Sequence, residues 1–254
     1  MNTVLNQYRR ACHVARRPLR RNRCGRAATI AIVDGPVDET RAGALAYWRR
    51  QDDLPIEEAG PGAADLPSEA LKHGCGVVDR IRRAAPEARL YLYQVFSSGI
   101  RVAPEQLFAA MSEALKSDAT VINVSAGASA SHPAVVRNFR QLRDYAAAEG
   151  KVIVAATRRD ELVVPAALPG VIAVRGEDFG GSGAIFVREH PQRMVVAHGG
   201  VDMIRIRGRR YWAEGSSFAA AEVAGIVARC VAEQGTSSFD ECWEWLKRLA
   251  NGSW

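Results

Sequence analysis

The chain has 254 residues, 48% of them hydrophobic, and a formal net charge of +6. That length suits one α/β domain with a sizeable core, and no apolar run approaches the ~20 residues of a membrane helix. The charge is local: residues 1–27 hold eight arginines and no acid, which leaves 26 basic against 28 acidic residues in the body of the chain.

Residues 1–27 therefore read as a basic, solvated and loose arm ahead of a single domain over 28–254. No apolar stretch follows its arginines, which argues against a secretory signal. Such an arm can attract nucleic acid or an acidic peptide. Tyr8 is its only aromatic residue, however, and single-stranded nucleic acid needs stacking platforms. The five cysteines, Cys12, Cys24, Cys75, Cys230 and Cys242, are odd in number and lack C-x-x-C spacing. They read as free thiols of a cytoplasmic protein.

Short apolar runs at 28–33, 89–95, 120–124, 151–156, 171–174 and 194–197 are predicted to be buried parallel strands. Leu45, Tyr47 and Trp48, flanked by Arg41, Arg49 and Arg50, suggest a short basic amphipathic helix, followed by a loop over 55–67. Leu107, Phe108, Met111, Ala114 and Leu115 recur at helical spacing after Pro104. Val135, Val136, Phe139, Leu142 and Ala146 do the same between Pro133 and Gly150. Asp202–Ile206 and Arg210–Trp212 around Gly208 suggest a hairpin, followed by a helix over 217–233. Phe239, Cys242, Trp243 and Leu246 suggest a covering helix at the end. Alternating strands and helices imply a mostly parallel sheet with helices on both faces, and ligands at the carboxyl ends of its strands.

Three segments carry chemistry: Ile32-Val33-Asp34-Gly35-Pro36, His73-Gly74-Cys75-Gly76-Val77 and Gly215-Ser216-Ser217-Phe218-Ala219-Ala220. A hydroxyl nucleophile needs a base, and the base needs a carboxylate to fix its tautomer and stabilise its charged form. Ser217, His73 and Asp34 supply those types, although an N-cap serine, a buried histidine and a strand-end turn aspartate are the ordinary alternatives. His13, His132, His190 and His198 lie in no comparable context. No His, Cys or Asp cluster has metal-ligand spacing, so neither a metal nor a cofactor is expected.

In the order Asp, His, Ser on this background, the segments resemble the subtilisin-like serine proteases, the subtilase family. Ala85-Pro86-Glu87-Ala88-Arg89-Leu90, Val121–Gly127, Lys151–Ala156, Val164-Pro165-Ala166 and Gly170–Val174 extend the resemblance over residues 28–235. Asp34-Gly35-Pro36-Val37-Asp38 and Gly215–Ala219 are most similar to the protease domains of cyanobactin-type peptide maturation enzymes.

The resemblance implies a three-layer subtilisin-like fold and the catalytic set Asp34, His73 and Ser217. It implies a peptide held along Ser97, Ser98 and Gly99 and along Ser125, Ala126 and Gly127, beside Ala155 and Ala156. The oxyanion donors would be the Ser217 backbone N–H and Arg158, which stands where the family has Asn. Arg158 either donates to the oxyanion or points into solvent. Cys75 stands where the family has Thr, either a tolerated change of similar size or a thiol near the base that is open to oxidation or alkylation. Ala221-Glu222 replaces Pro-His after the nucleophile, on a stretch expected to pack. The implied function is a serine endopeptidase that cuts a peptide or precursor peptide through an acyl-enzyme, with no membrane partner. The alternatives are a peptide macrocyclase or transpeptidase on the same triad, and a catalytically impaired peptide-binding homologue.

Overall fold

The computed structural model describes residues 12–13, 28–50, 66–158, 161–179, 184–189, 192–235 and 237–250. The rest of the basic arm, and the loop expected at 55–67 as far as residue 65, lie outside the described residues. The strands are β1 (Cys12–His13), β2 (Thr29–Asp34), β3 (Tyr47–Arg50), β4 (Arg89–Gln94), β5 (Val121–Val124), β6 (Ala128–Ser129) and β7 (Val152–Ala156). They continue with β8 (Val163–Val164), β9 (Ile172–Glu177), β10 (Ala184–Arg188), β11 (Met194–His198), β12 (Asp202–Ile206) and β13 (Arg209–Ala213). The helices are α1 (Glu39–Ala42), α2 (Glu69–Ala84), α3 (Pro104–Lys116), α4 (Pro133–Ala148), α5 (Ser216–Gln234) and α6 (Phe239–Ala250).

A nine-stranded sheet runs in the order β1-β10-β11-β9-β7-β5-β2-β4-β3. From β3 to β11 every pairing is parallel, and β10 is antiparallel to its neighbours on both sides. The six predicted strands are all present. Alternation along β2 separates two cores: Ile30 and Ile32 face α2, α5 and α6, whereas Ala31 and Val33 face α3 and α4. Helices thus cover both faces, which is the three-layer arrangement.

Helix starts follow from local chemistry. Ser68 caps α2 by accepting from the Leu71 N–H at 3.2 Å, and Pro104 and Pro133 open α3 and α4, where a missing N–H costs nothing. Helix α5 is buried along almost its whole length and ends at Gly235, whose φ of +69° suits glycine.

The segment around Tyr47 corrects the sequence reading. Only Glu39–Ala42 is helical there; Tyr47–Arg50 is an edge strand paired in parallel with Tyr91–Gln94. The ring of Tyr47 packs on Tyr91 and Tyr93 at 5.8 and 5.6 Å, and aromatic neighbours of this kind favour a pleated surface over a helix. Strand β10 carried no recognised signal, and the arm contributes Cys12–His13 as the strand paired with it.

Candidate active site

Asp34 is the last residue of β2, completely buried at the carboxyl edge of the sheet. Its Oδ1 accepts from the Gly35 N–H at 2.6 Å and lies 2.7 Å from His73 Nδ1. A carboxylate only accepts, so Nδ1 carries the ring proton and Nε2 keeps its lone pair. Asp34 Oδ2 is buried without a hydrogen-bond partner, which concentrates the carboxylate's function on one oxygen.

His73 sits in the second turn of α2, between the rings of Phe96 and Phe218 at 5.8 and 5.3 Å. Burial pulls its pKa down, but the charge of Asp34 and the hydrogen bond to it outweigh burial, and the net shift is upward from 6.5. Two glycines allow this approach. A Cβ on Gly74 would come within 2.6 Å of the Gly35 carbonyl oxygen and closer still to that of Pro36. The motif glycines beside Asp34 and His73 are therefore packing requirements, since the helix can meet the strand end only where side chains are absent.

Ser217 occupies the first turn of α5, where backbone N–H groups lack intrahelical partners and the helix end is positive. Its hydroxyl donates to the Ser125 carbonyl at 3.1 Å. The preceding Ser216 fills a separate structural role, accepting from the Gly176 N–H at 3.0 Å. Gly176 and Gly199, which the sequence reading missed, pack around this turn. A Cβ on Gly199 would stand 2.5 Å from the Gly176 Cα, and one on Gly176 would stand 3.0 Å from the Ser216 Cα. The Gly215 N–H donates to the Gly199 carbonyl at 2.8 Å. In a sequence these glycines look like any others; only the close approach distinguishes them.

The remaining expected residues surround this centre unevenly. Ser125, Ala126 and Gly127 follow β5, and Ser125 accepts from Asn123 Nδ2 at 3.1 Å. Ser97, Ser98 and Gly99 form a bend after β4, tied to α2 by an Ala70 N–H to Ser98 carbonyl bond of 2.9 Å. Ala155 and Ala156 are buried inside β7, paired with β9 on one side. Arg158 follows β7 on the surface, and its guanidinium pairs with Glu161 at 2.9 Å. Cys75 is fully buried, accepts from the Asp38 N–H at 3.4 Å, and burial pushes its thiol up to about 11. Of the two readings of Cys75, burial favours the packed replacement of similar size over the reactive thiol.

Among the described residues no group of His, Cys, Asp and Glu is arranged to hold a metal ion. None of the described helices is long and apolar enough to cross a membrane.

The subtilase family model matches residues 25–251. No curated protein is similar enough in sequence to match. Several solved structures share the fold. The protease domain of PatA, solved as a serine-to-alanine variant, superposes with a TM-score of 0.69 at 22% identity, covering 90% of this chain and 88% of that one. The nisin leader peptidase NisP from Lactococcus lactis gives 0.65 at 20% identity, over 87% and 82%. The PatG macrocyclase in complex with peptide gives 0.64 at 19%, over 84% and 79%.

Proposed function

The chain belongs to the subtilase family of serine peptidases, and on that footing we propose that it is an endopeptidase acting on a peptide or precursor peptide through an acyl-enzyme on Ser217. The observation that carries this reading is the 2.7 Å contact between His73 and Asp34, with Ser217 at the amino end of the neighbouring helix. In the proposed reaction Ser217 Oγ attacks the scissile carbonyl carbon and passes its proton to His73 Nε2. The hydroxyl first turns from Ser125 toward His73; catalytic hydrogen bonds commonly form only when substrate binds. The tetrahedral oxyanion is held by the Ser217 backbone N–H and by Arg158. His73 then returns the proton to the departing amine, and water releases the acyl group.

The peptide lies between the 97–99 bend and the 125–127 segment, held through backbone hydrogen bonds. A reducing cytoplasm suits the free thiols Cys75, Cys230 and Cys242. The basic arm over 1–27 precedes one catalytic domain in this reading.

Labelling with a fluorophosphonate probe tests the proposal. Parent protein should be labelled, and both Ser217→Ala and His73→Ala should lose labelling, because the set acts as a unit. Labelling that persists in Ser217→Ala, or a folded parent that never reacts, overturns it. The similarity to the PatG macrocyclase favours a second reading in which a peptide amine, not water, resolves the acyl-enzyme. Mass spectrometry of products separates the two, since hydrolysis adds one water and cyclisation adds none. A parent that binds peptides yet resists the probe would be the catalytically impaired homologue.

A further inference from the structure

A cavity of ≈ 400 Å³ has Arg158, Glu161, Val163, Arg175, Arg188 and Met194 among its walls. Two chains of contacts link its walls to Ser217. The Ser217 hydroxyl bonds to Ser125, and two residues on, Gly127 packs so tightly on Val163 that a Cβ there would lie 2.9 Å from the valine Cβ. From the other side, Arg175 directly precedes Gly176, whose N–H donates to Ser216.

The charge of these walls is one-sided. Three guanidinium groups face one carboxylate, and that carboxylate, Glu161, is engaged by Arg158. Arg175 Nη2 pairs with Glu177 at 2.7 Å, yet its Nε is buried with no hydrogen-bond partner. Arg188 Nη2 meets the Met194 sulfur at 3.6 Å, a weak acceptor for a cation. Below the guanidiniums the surface is apolar, formed by Val163, Ala166 and Met194. A ligand group that fits has a short apolar stem and an anionic end. An unpaired guanidinium fork in such a recess is matched by a carboxylate.

We propose that this cavity receives the acidic side chain, Asp or Glu, of one residue of the bound peptide, with Arg188 as its principal partner and Arg175 behind it. The inference rests on the reading of Ser217 as the nucleophile, and it deepens that reading by naming the substrate class. Charged hydrogen bonds of this kind discriminate by roughly 10- to 100-fold between a carboxylate and its amide.

The test uses full-length Ser217→Ala protein, so that binding is read without turnover. Fluorescently labelled N-acetyl hexapeptide pools, each with one position fixed as Glu, Gln, Leu or Lys, are titrated by anisotropy. At one position the Glu pool should bind about 10-fold or more tightly than the Gln pool. Arg188→Gln should erase that preference, and Arg188→Glu should reverse it in favour of Lys, with thermal midpoints close to the parent because Arg188 is exposed. Equal binding of the Glu and Gln pools, absence of binding by every pool, or a preference untouched in the folded Arg188 variants overturns the proposal. An Arg188-dependent Glu preference in a protein whose parent never takes the fluorophosphonate would instead keep the pocket and reject the hydrolase.

Discussion

Arg80 and Glu222 meet at 3.1 Å between the helix that carries His73 and the helix that carries Ser217. Arg80 is almost wholly buried and also lies 3.0 Å from Asp202 of the hairpin. The Glu that departs from the family's Pro-His is therefore half of an interior ion pair that clasps the two helices at a fixed distance.

Removing one partner should be costly. Glu222→Ala leaves the buried guanidinium with Asp202 as its remaining acid and should lower stability by up to about 3 kcal/mol, read as a fall in the thermal midpoint. Replacing both groups, in Arg80→Met with Glu222→Leu, should recover most of that loss, since a well-packed apolar pair is about as stable as a buried ion pair. A double variant no better than Glu222→Ala would refute this account.

The Asp34–His73 contact sets a pH dependence. His73 must be neutral to act as base, and its pKa stands above 6.5, so kcat/KM should rise with pH through a midpoint above that value. Protonated His73 also stabilises the fold: the contribution is complete below the unfolded value of 6.5 and is lost as pH rises through the raised one. In Asp34→Asn only the charge of Glu69 opposes burial, and the midpoint should move below that of the parent, with a large loss in kcat. An unchanged midpoint would separate Asp34 from His73.

Arg158 should act on turnover and not on stability. Its pair with Glu161 is half exposed, so breaking it costs at most about 1 kcal/mol, whereas a lost oxyanion donor costs ~2.7–4 kcal/mol. Arg158→Ala should lose on the order of 10²-fold in kcat with little change in KM, and Arg158→Asn should retain part of the activity. An alanine variant as active as the parent would remove Arg158 from the mechanism.

Gly74→Ala adds one methyl group where the Gly35 and Pro36 carbonyls already stand. Overpacking of this sort costs about 1–3 kcal/mol, and here it also pushes His73 from Asp34. Fluorophosphonate labelling should slow more than the thermal midpoint alone explains. Full labelling speed would show that the helix can shift without disturbing the pair.

The strands of the inner sheet were legible in the sequence because each is buried on both faces and reads as a continuous apolar run. Tyr47–Arg50 was misread because a short edge strand of two aromatic and two basic residues, close after Leu45, fits a helical pattern as well as a strand. Asp34, His73 and Ser217 were legible because their neighbours are as constrained as they are: Gly35 and Gly74 by close packing, Gly215 by a φ of +129°. Gly176 and Gly199 were not, since their partner is each other, across a distance that no local pattern encodes. The arginine-lined cavity arises where separate segments converge and leaves no trace in spacing.

Helix α5 is the most enclosed of the described helices, and Ser217 rides at its amino end. Amide hydrogens along such a helix exchange with solvent only when the whole domain opens. Local melting of the helix body is therefore a poor way to displace Ser217, and a cell that needed to silence this protein would block the approach of substrate instead. The exposed residues 98–100, Arg158 and residues 161–162 are where such a block would take hold.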